Sequence, residues 1–183
     1  MSRTEYNPSP EVLERAARVR LLALDVDGVM TDGGLNYTGD PHEHKRFHVR
    51  DGLGLKLLQR SNIEIAIITG RNSSAVTTRA EELGIEHVYQ GCEDKWQALS
   101  ELLTRLRLEA DQAAYCGDDL VDLAAIRQAG LGVTVNDAPG EIRQHADYVT
   151  LTPGGHGAVR EICELILKAR GEWDAIVAEF ASC

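Results

Sequence analysis

Leu21-Leu22-Ala23-Leu24-Asp25-Val26-Asp27-Gly28 is an unbroken apolar run that ends in two acids and a glycine. Apolar side chains without alternation read as a strand buried on both faces, as in parallel sheets. Acid at the end of such a strand lies where open parallel sheets bind ligands, at the carboxyl edge. Further strands read at Ile63 to Thr69, Glu86 to Gln90, Gln112 to Cys116, Leu131 to Val135 and Asp147 to Leu151. Helical stretches separate them: Gly52 to Arg60, Ser73 to Leu83 closed by Gly84, Asp94 to Leu106, and Leu120 to Ala129. A helix over Pro10 to Val19 precedes the first strand, with Ser9 as its N-cap and Pro10 at its first position. Helices over Gly157 to Ala169 and Glu172 to Phe180 close the chain. The alternation predicts an α/β, Rossmann-like fold: a parallel sheet with helices on both faces, joined by right-handed crossovers. Gly33 to Tyr37 and Lys45 to Val49 read as the arms of a small β-hairpin insertion, residues 33–49, around Thr38-Gly39-Asp40-Pro41.

The whole chain supports one domain. Its 183 residues are 43% hydrophobic, enough for one packed core. Residues 1–183 contain no repeat, low-complexity tract or linker, and the stretches from Asp27 to Gly52 and from Thr69 to Lys95 are too short for a cap domain. The net charge of −10 disfavours nucleic acid and anionic lipid as partners. Met1 to Pro10 is polar and carries Glu5, which does not suit a signal peptide, and no run is long enough to span a membrane. Cys92, Cys116, Cys163 and Cys183 are scattered, which disfavours zinc and disulfides and points to the reducing cytoplasm.

Four strand ends carry the residues suited to chemistry. Asp25 and Asp27 lie two apart at a turn, where one carboxylate can serve as nucleophile or metal ligand and the other as acid and base. Thr69-Gly70-Arg71 offers a hydroxyl and backbone N–H groups at a strand end, a corner suited to an anion or to an ordinary turn. Lys95 sits at a helix start, where the dipole disfavours a cation. It is therefore either exposed and idle or aimed at an anion. Asp118, Asp119 and Asp122 crowd within Gly117-Asp118-Asp119-Leu120-Val121-Asp122. Helix capping explains one of the three, and an oxygen-ligated cation such as Mg²⁺ accounts for the crowding.

The order of these motifs resembles the haloacid dehalogenase superfamily over residues 20 to 170. Five segments resemble, within it, the capless family of 3-deoxy-D-manno-octulosonate 8-phosphate phosphatases: residues 21–29, Phe47-His48-Val49-Arg50-Asp51-Gly52, Ile67-Ile68-Thr69-Gly70-Arg71, Tyr115-Cys116-Gly117-Asp118-Asp119-Leu120, and residues 154–161. The last segment departs from the family's usual Gly-Arg-Gly, carrying Gly155-His156-Gly157. The resemblance implies a phosphatase that releases phosphate from an eight-carbon sugar acid in lipopolysaccharide precursor synthesis. In it Asp25 would become an aspartyl phosphate and Asp27 would act as acid and then base. Mg²⁺ would be held by Asp25, the Asp27 carbonyl and Asp118, with Asp119 and Asp122 orienting its waters. Thr69, Gly70 and Lys95 would hold the phosphoryl oxygens. The resemblance also implies a homotetramer; because the chain has no room for a cap and phosphoryl transfer gains from excluding water, neighbouring subunits are expected to complete the walls, with the Gly33 to Val49 hairpin mediating assembly.

Arg71, beside the phosphate corner, and Arg79, about two turns along the next helix and able to reach a neighbouring subunit's cleft, are candidates for the substrate carboxylate, since a guanidinium binds that group bidentately. The competing reading makes them ion pairs with Glu81, Glu82 or Glu86. Relatives acting on nine-carbon, sialic-type acids resemble this chain but place Glu at the position of Arg71, so Arg there favours the eight-carbon acid. A signalling receiver domain is disfavoured because the full acidic pair sits on the first strand. A non-catalytic oligomerisation module of the same fold is disfavoured by the intact motifs. The three histidines His42, His44 and His48 read as solvated or entrance residues rather than a metal site, because Mg²⁺ prefers oxygen.

Overall fold

The computed structural model describes residues 8–36 and 44–182. Six strands form one parallel sheet: β1 (Leu21–Leu24), β2 (Glu64–Ile68), β3 (His87–Tyr89), β4 (Ala113–Cys116), β5 (Leu131–Thr134) and β6 (Tyr148–Val149). Their spatial order is β3-β2-β1-β4-β5-β6. β1 pairs with β2 on one side, Leu22 opposite Ile65, and with β4 on the other, Leu22 opposite Ala114. All four residues of β1, β4 and β5 are buried, which explains why these strands read as continuous apolar runs. The strand order reverses between β1 and β4, and such switch points open a crevice at the carboxyl ends.

The helices are α1 (Pro10–Arg18), α2 (Val49–Arg60), α3 (Ser74–Leu83), α4 (Lys95–Leu106), α5 (Leu123–Gln128), α6 (Gly140–Arg143), α7 (Ala158–Ala169) and α8 (Trp173–Ala181). One layer packs α1 and α2 on α7, and a second packs α4 on α5. Capping follows the sequence at both ends of the molecule's first half. The Ser9 hydroxyl accepts from the Val12 N–H at 3.3 Å, and Gly84 closes α3 at φ 68°. Asp94 caps α4 by accepting from the Gln97 N–H at 2.9 Å.

Two expectations change. The arm Lys45 to Val49 is not a strand: Asn36 and His44 form an isolated antiparallel bridge, and Val49 already begins α2. Side chains rather than backbone pairing fasten this arm, through Lys45 to Asp27 and Arg46 to Asp32. The turn Thr38-Gly39-Asp40-Pro41 and His42 lie outside the described residues. The expected helix from Leu120 splits into a 3₁₀ turn, Leu120–Asp122, and α5, because Asp119 and Asp122 bond back to the turn's own backbone. Helix α6 carries no sequence signal strong enough to find it. Among the described residues no helix is long and apolar enough to cross a membrane.

Candidate active site

The carboxyl ends of β1, β2 and β4 and the start of α4 meet at a cavity of about 450 Å³, lined by Asp25, Asp27, Thr69, Gly70, Arg71, Lys95, Asp118 and Asp119 among others. That volume suits a small polar ligand. Asp25 is fixed by backbone on both sides. Its N–H donates to the Cys116 carbonyl at 2.9 Å, and its Oδ1 accepts from the Val26 N–H at 2.7 Å. The chain then turns sharply, with the Val26 carbonyl accepting from the Met30 and Thr31 N–H groups at 2.9 and 3.0 Å. Gly28 makes this turn at φ 90°, and a Cβ there would stand 2.1 Å from Asp118 Oδ2. A side chain at 28 would therefore push Asp118 out of the cluster.

Lys95 is buried, which removes the idle reading of this residue. Its Nζ lies 2.8 Å from Asp25 Oδ2 and 2.6 Å from Asp122 Oδ1. Burial works against its charge, and the Asp25 and Asp122 carboxylates outweigh that, so its pKa is raised. Asp122 is fully buried and has both oxygens engaged. Oδ1 accepts from Lys95 and, at 2.6 Å, from the Tyr115 hydroxyl; Oδ2 accepts from the Asp118 and Asp119 N–H groups at 3.1 and 3.2 Å. Asp119 accepts from the Leu120 N–H at 2.7 Å and caps its own turn at the cavity rim.

Asp25, Asp118 and Asp122 bring ligand atoms within 4.8 Å of one another. Burial, followed by the repulsion of Asp122, raises the Asp25 pKa to about 6 even against Lys95. Burial, followed by Asp25 and Asp122, raises Asp118 to about 7. Three carboxylates against one ammonium leave an excess of negative charge in an oxygen-only site, which fits a hard divalent cation. Because Asp122 is saturated by four donors, Asp25 and Asp118 are the carboxylates with capacity for it.

Thr69 is buried, its N–H donating to the Tyr89 carbonyl and its carbonyl accepting from the Cys92 N–H, which presents its hydroxyl and Gly70 to the cavity. Arg71 Nε lies 3.7 Å from Asp27 Oδ2. Arg79 is not brought to this cavity. It pairs with Glu82 at 3.1 Å and lies over the Phe47 ring, because its place on α3 turns it toward α2. Within one chain Arg79 is thus an ion-pair partner, and the expected reach of this residue is toward a neighbouring subunit's cleft. His48 does not line the cavity either, and its Nδ1 is buried with no hydrogen-bond partner.

Sequence reasoning missed three supports. Tyr115 clamps Asp122 from within β4. Thr134 donates to the Gly117 carbonyl at 2.7 Å and so holds the acidic loop from β5. Residues 154–157 are packed against the β1 turn. The Gly155 N–H donates to the Val29 carbonyl at 3.0 Å, and a Cβ at Gly154 would stand 1.7 Å from the Gly28 carbonyl oxygen.

Comparison with known proteins agrees with this geometry. The family model described as haloacid dehalogenase-like hydrolase matches residues 87–162. The chain is 48% identical over 172 residues to the 3-deoxy-D-manno-octulosonate 8-phosphate phosphatase KdsC of Salmonella typhimurium, covering 93% of this chain and 92% of that protein. It is 49% identical over 168 residues to KdsC of Yersinia pestis, covering 91% and 90%. The Moraxella catarrhalis phosphatase, solved in complex with magnesium, phosphate and KDO, superposes with a TM-score of 0.91 at 49% identity, over 93% of this chain and 98% of that one.

Proposed function

The chain belongs to the family of 3-deoxy-D-manno-octulosonate 8-phosphate phosphatases within the haloacid dehalogenase superfamily, and from that premise we propose that it hydrolyses this sugar-acid phosphate to the free acid and phosphate. The observation that carries the reading is the convergence of Asp25, Lys95 and Asp118 on one cavity that Asp27, Thr69 and Arg71 also line. Asp25 attacks the phosphorus, the ester P–O bond breaks, and an aspartyl phosphate forms. Asp27 gives its proton to the leaving alkoxide and then takes one from the water that cleaves the acyl phosphate. Asp25 and Asp118, with the Asp27 backbone carbonyl, would hold Mg²⁺, which would supply charge neutralisation between nucleophile and phosphate.

Thr69, the Gly70 N–H and Lys95 bind the phosphoryl oxygens, and Asp122 and Tyr115 hold Lys95 and the acidic loop in place for them. Arg71, on the cavity wall, takes the carboxylate of the eight-carbon acid and so sets the preference over nine-carbon acids. The open cavity is completed by neighbouring subunits of a homotetramer, with residues 33–49 in the contact. Residues 1–183 act as one phosphatase domain.

Reduction by borohydride of rapidly quenched enzyme tests the covalent step. The expected product is homoserine at position 25, formed only when substrate is present and absent from Asp25→Asn. Labelling at another residue, or none under turnover, contradicts it.

A further inference from the structure

Lys45 belongs to none of the motifs by which the site is recognised, yet it enters the site. Its side chain is 3% exposed, and its Nζ lies 2.5 Å from Oδ1 of Asp27. The contact joins the arm after the Asn36–His44 bridge to the turn after β1. Burying an ammonium and ordering a four-carbon stem both oppose folding, so a lysine held this way is fixed in place by its polar contacts, unlike one in an exposed surface pair. Arg46 of the same arm pairs with Asp32, which fastens the arm to the turn a second time.

The two oxygens of Asp27 are consequently unequal. Oδ1 is engaged by Lys45. Oδ2 is buried with no hydrogen-bond partner, on the side of Arg71, which lines the cavity together with Asp27. A carboxylate that must donate and then accept a proton needs one oxygen kept open and its rotamer kept fixed.

We propose that Lys45 is a positioning residue, holding Asp27 by Oδ1 so that Oδ2 is the oxygen that exchanges the proton with the leaving group. The proposal rests on Asp27 acting as acid and base. It makes the arm after the bridge part of the catalytic apparatus: displacing the arm releases Asp27 while leaving Asp25, Lys95 and Asp118 in place.

The test is kcat/KM, which reports steps through cleavage of the ester bond, across a series of phosphate monoesters. The series holds the sugar-acid phosphate, a small alkyl phosphate without a carboxylate, and p-nitrophenyl phosphate, whose leaving group needs no proton. Lys45→Met is expected to lower both alkyl reactions by about tenfold to a hundredfold, at the low end of what a general acid contributes. It should leave the aryl reaction nearly unchanged. Lys45→Arg should recover most of the loss. Intact aryl activity also shows that Lys45→Met is folded; if it is not, Lys45→Gln takes its place. Equal loss on all three esters assigns Lys45 to the fold or the phosphate pocket, and loss on the sugar-acid phosphate alone assigns it to substrate binding; either overturns the proposal. Asp27→Asn is run beside it. If Asp27→Asn discriminates between alkyl and aryl esters and Lys45→Met does not, the Lys45 proposal alone fails. If Asp27→Asn does not discriminate, the reading of Asp27 fails first.

Discussion

Lys95 shows how the site is held together one residue at a time. It begins α4, where the helix dipole disfavours a cation, and it is buried between Asp25 and Asp122. Removing its charge leaves two buried carboxylates facing each other. Lys95→Met should therefore destabilise the metal-free protein by about 3–5 kcal/mol near neutral pH, the cost of breaking a buried pair. Urea unfolding measures it, and a loss confined to activity with unchanged stability would contradict it. Arg71 makes the opposite prediction, because it is half-exposed and its removal leaves the core untouched. Arg71→Ala should lower kcat/KM on the eight-carbon sugar-acid phosphate tenfold or more, since a charged hydrogen bond contributes ~1.5–3 kcal/mol. Hydrolysis of p-nitrophenyl phosphate should change little. Equal loss on both esters would place Arg71 with the phosphate or the fold and remove the reason for preferring the eight-carbon acid.

Among the elements, the turn after β1 depends on a loop far from it in sequence. Residues 154–157 press on that turn so closely that Gly154 has no room for a methyl group. Gly154→Ala should cost about 1–3 kcal/mol of stability, as overpacking does. It should also weaken Mg²⁺ binding, because Gly28 moves and Gly28 is what admits Asp118; titration of Mg²⁺ against thermal midpoint reads both effects. This element also marks where sequence reading stopped. Strands β1, β4 and β5 are legible because burial on both faces leaves an unbroken apolar run, and Asp25, Thr69 and, one glycine further on, Asp118 are legible because they lie at the ends of such runs. The arm at Lys45 has the alternation of a strand without being one, because what fastens it is a pair of ion pairs to the neighbouring turn. Val49 alternates with that arm in sequence, yet it begins α2 three residues before the expected start at Gly52. The Tyr115–Asp122–Lys95 clamp joins positions 27 apart, and no local pattern encodes it.

For the molecule as a whole, the carboxylate cluster ties stability to pH and metal. Asp25 and Asp118, pushed to about 6 and about 7 from an ordinary 3.8, keep protons in the folded chain that the unfolded chain has already released. The folded state then binds more protons than the unfolded one, so stability of the metal-free protein falls as pH rises from about 4 to about 7 and stays low above that. Mg²⁺ binds the ionised form, so the rise in thermal midpoint that it produces should be large near about pH 8 and small near about pH 5. An equal rise at both would contradict the placement of the cation between Asp25 and Asp118. Sedimentation should find an assembly larger than one chain, and an active monomer at assay concentration would contradict the proposed sharing of walls. The most direct measurement is phosphate release from 3-deoxy-D-manno-octulosonate 8-phosphate, followed with excess Mg²⁺ and again after chelation, beside a nine-carbon sugar-acid phosphate. Rapid release from the eight-carbon ester, slower release from the nine-carbon one, and loss of both on chelation are expected. No release from the eight-carbon ester under Mg²⁺, or release that chelation leaves unchanged, would contradict the proposed function.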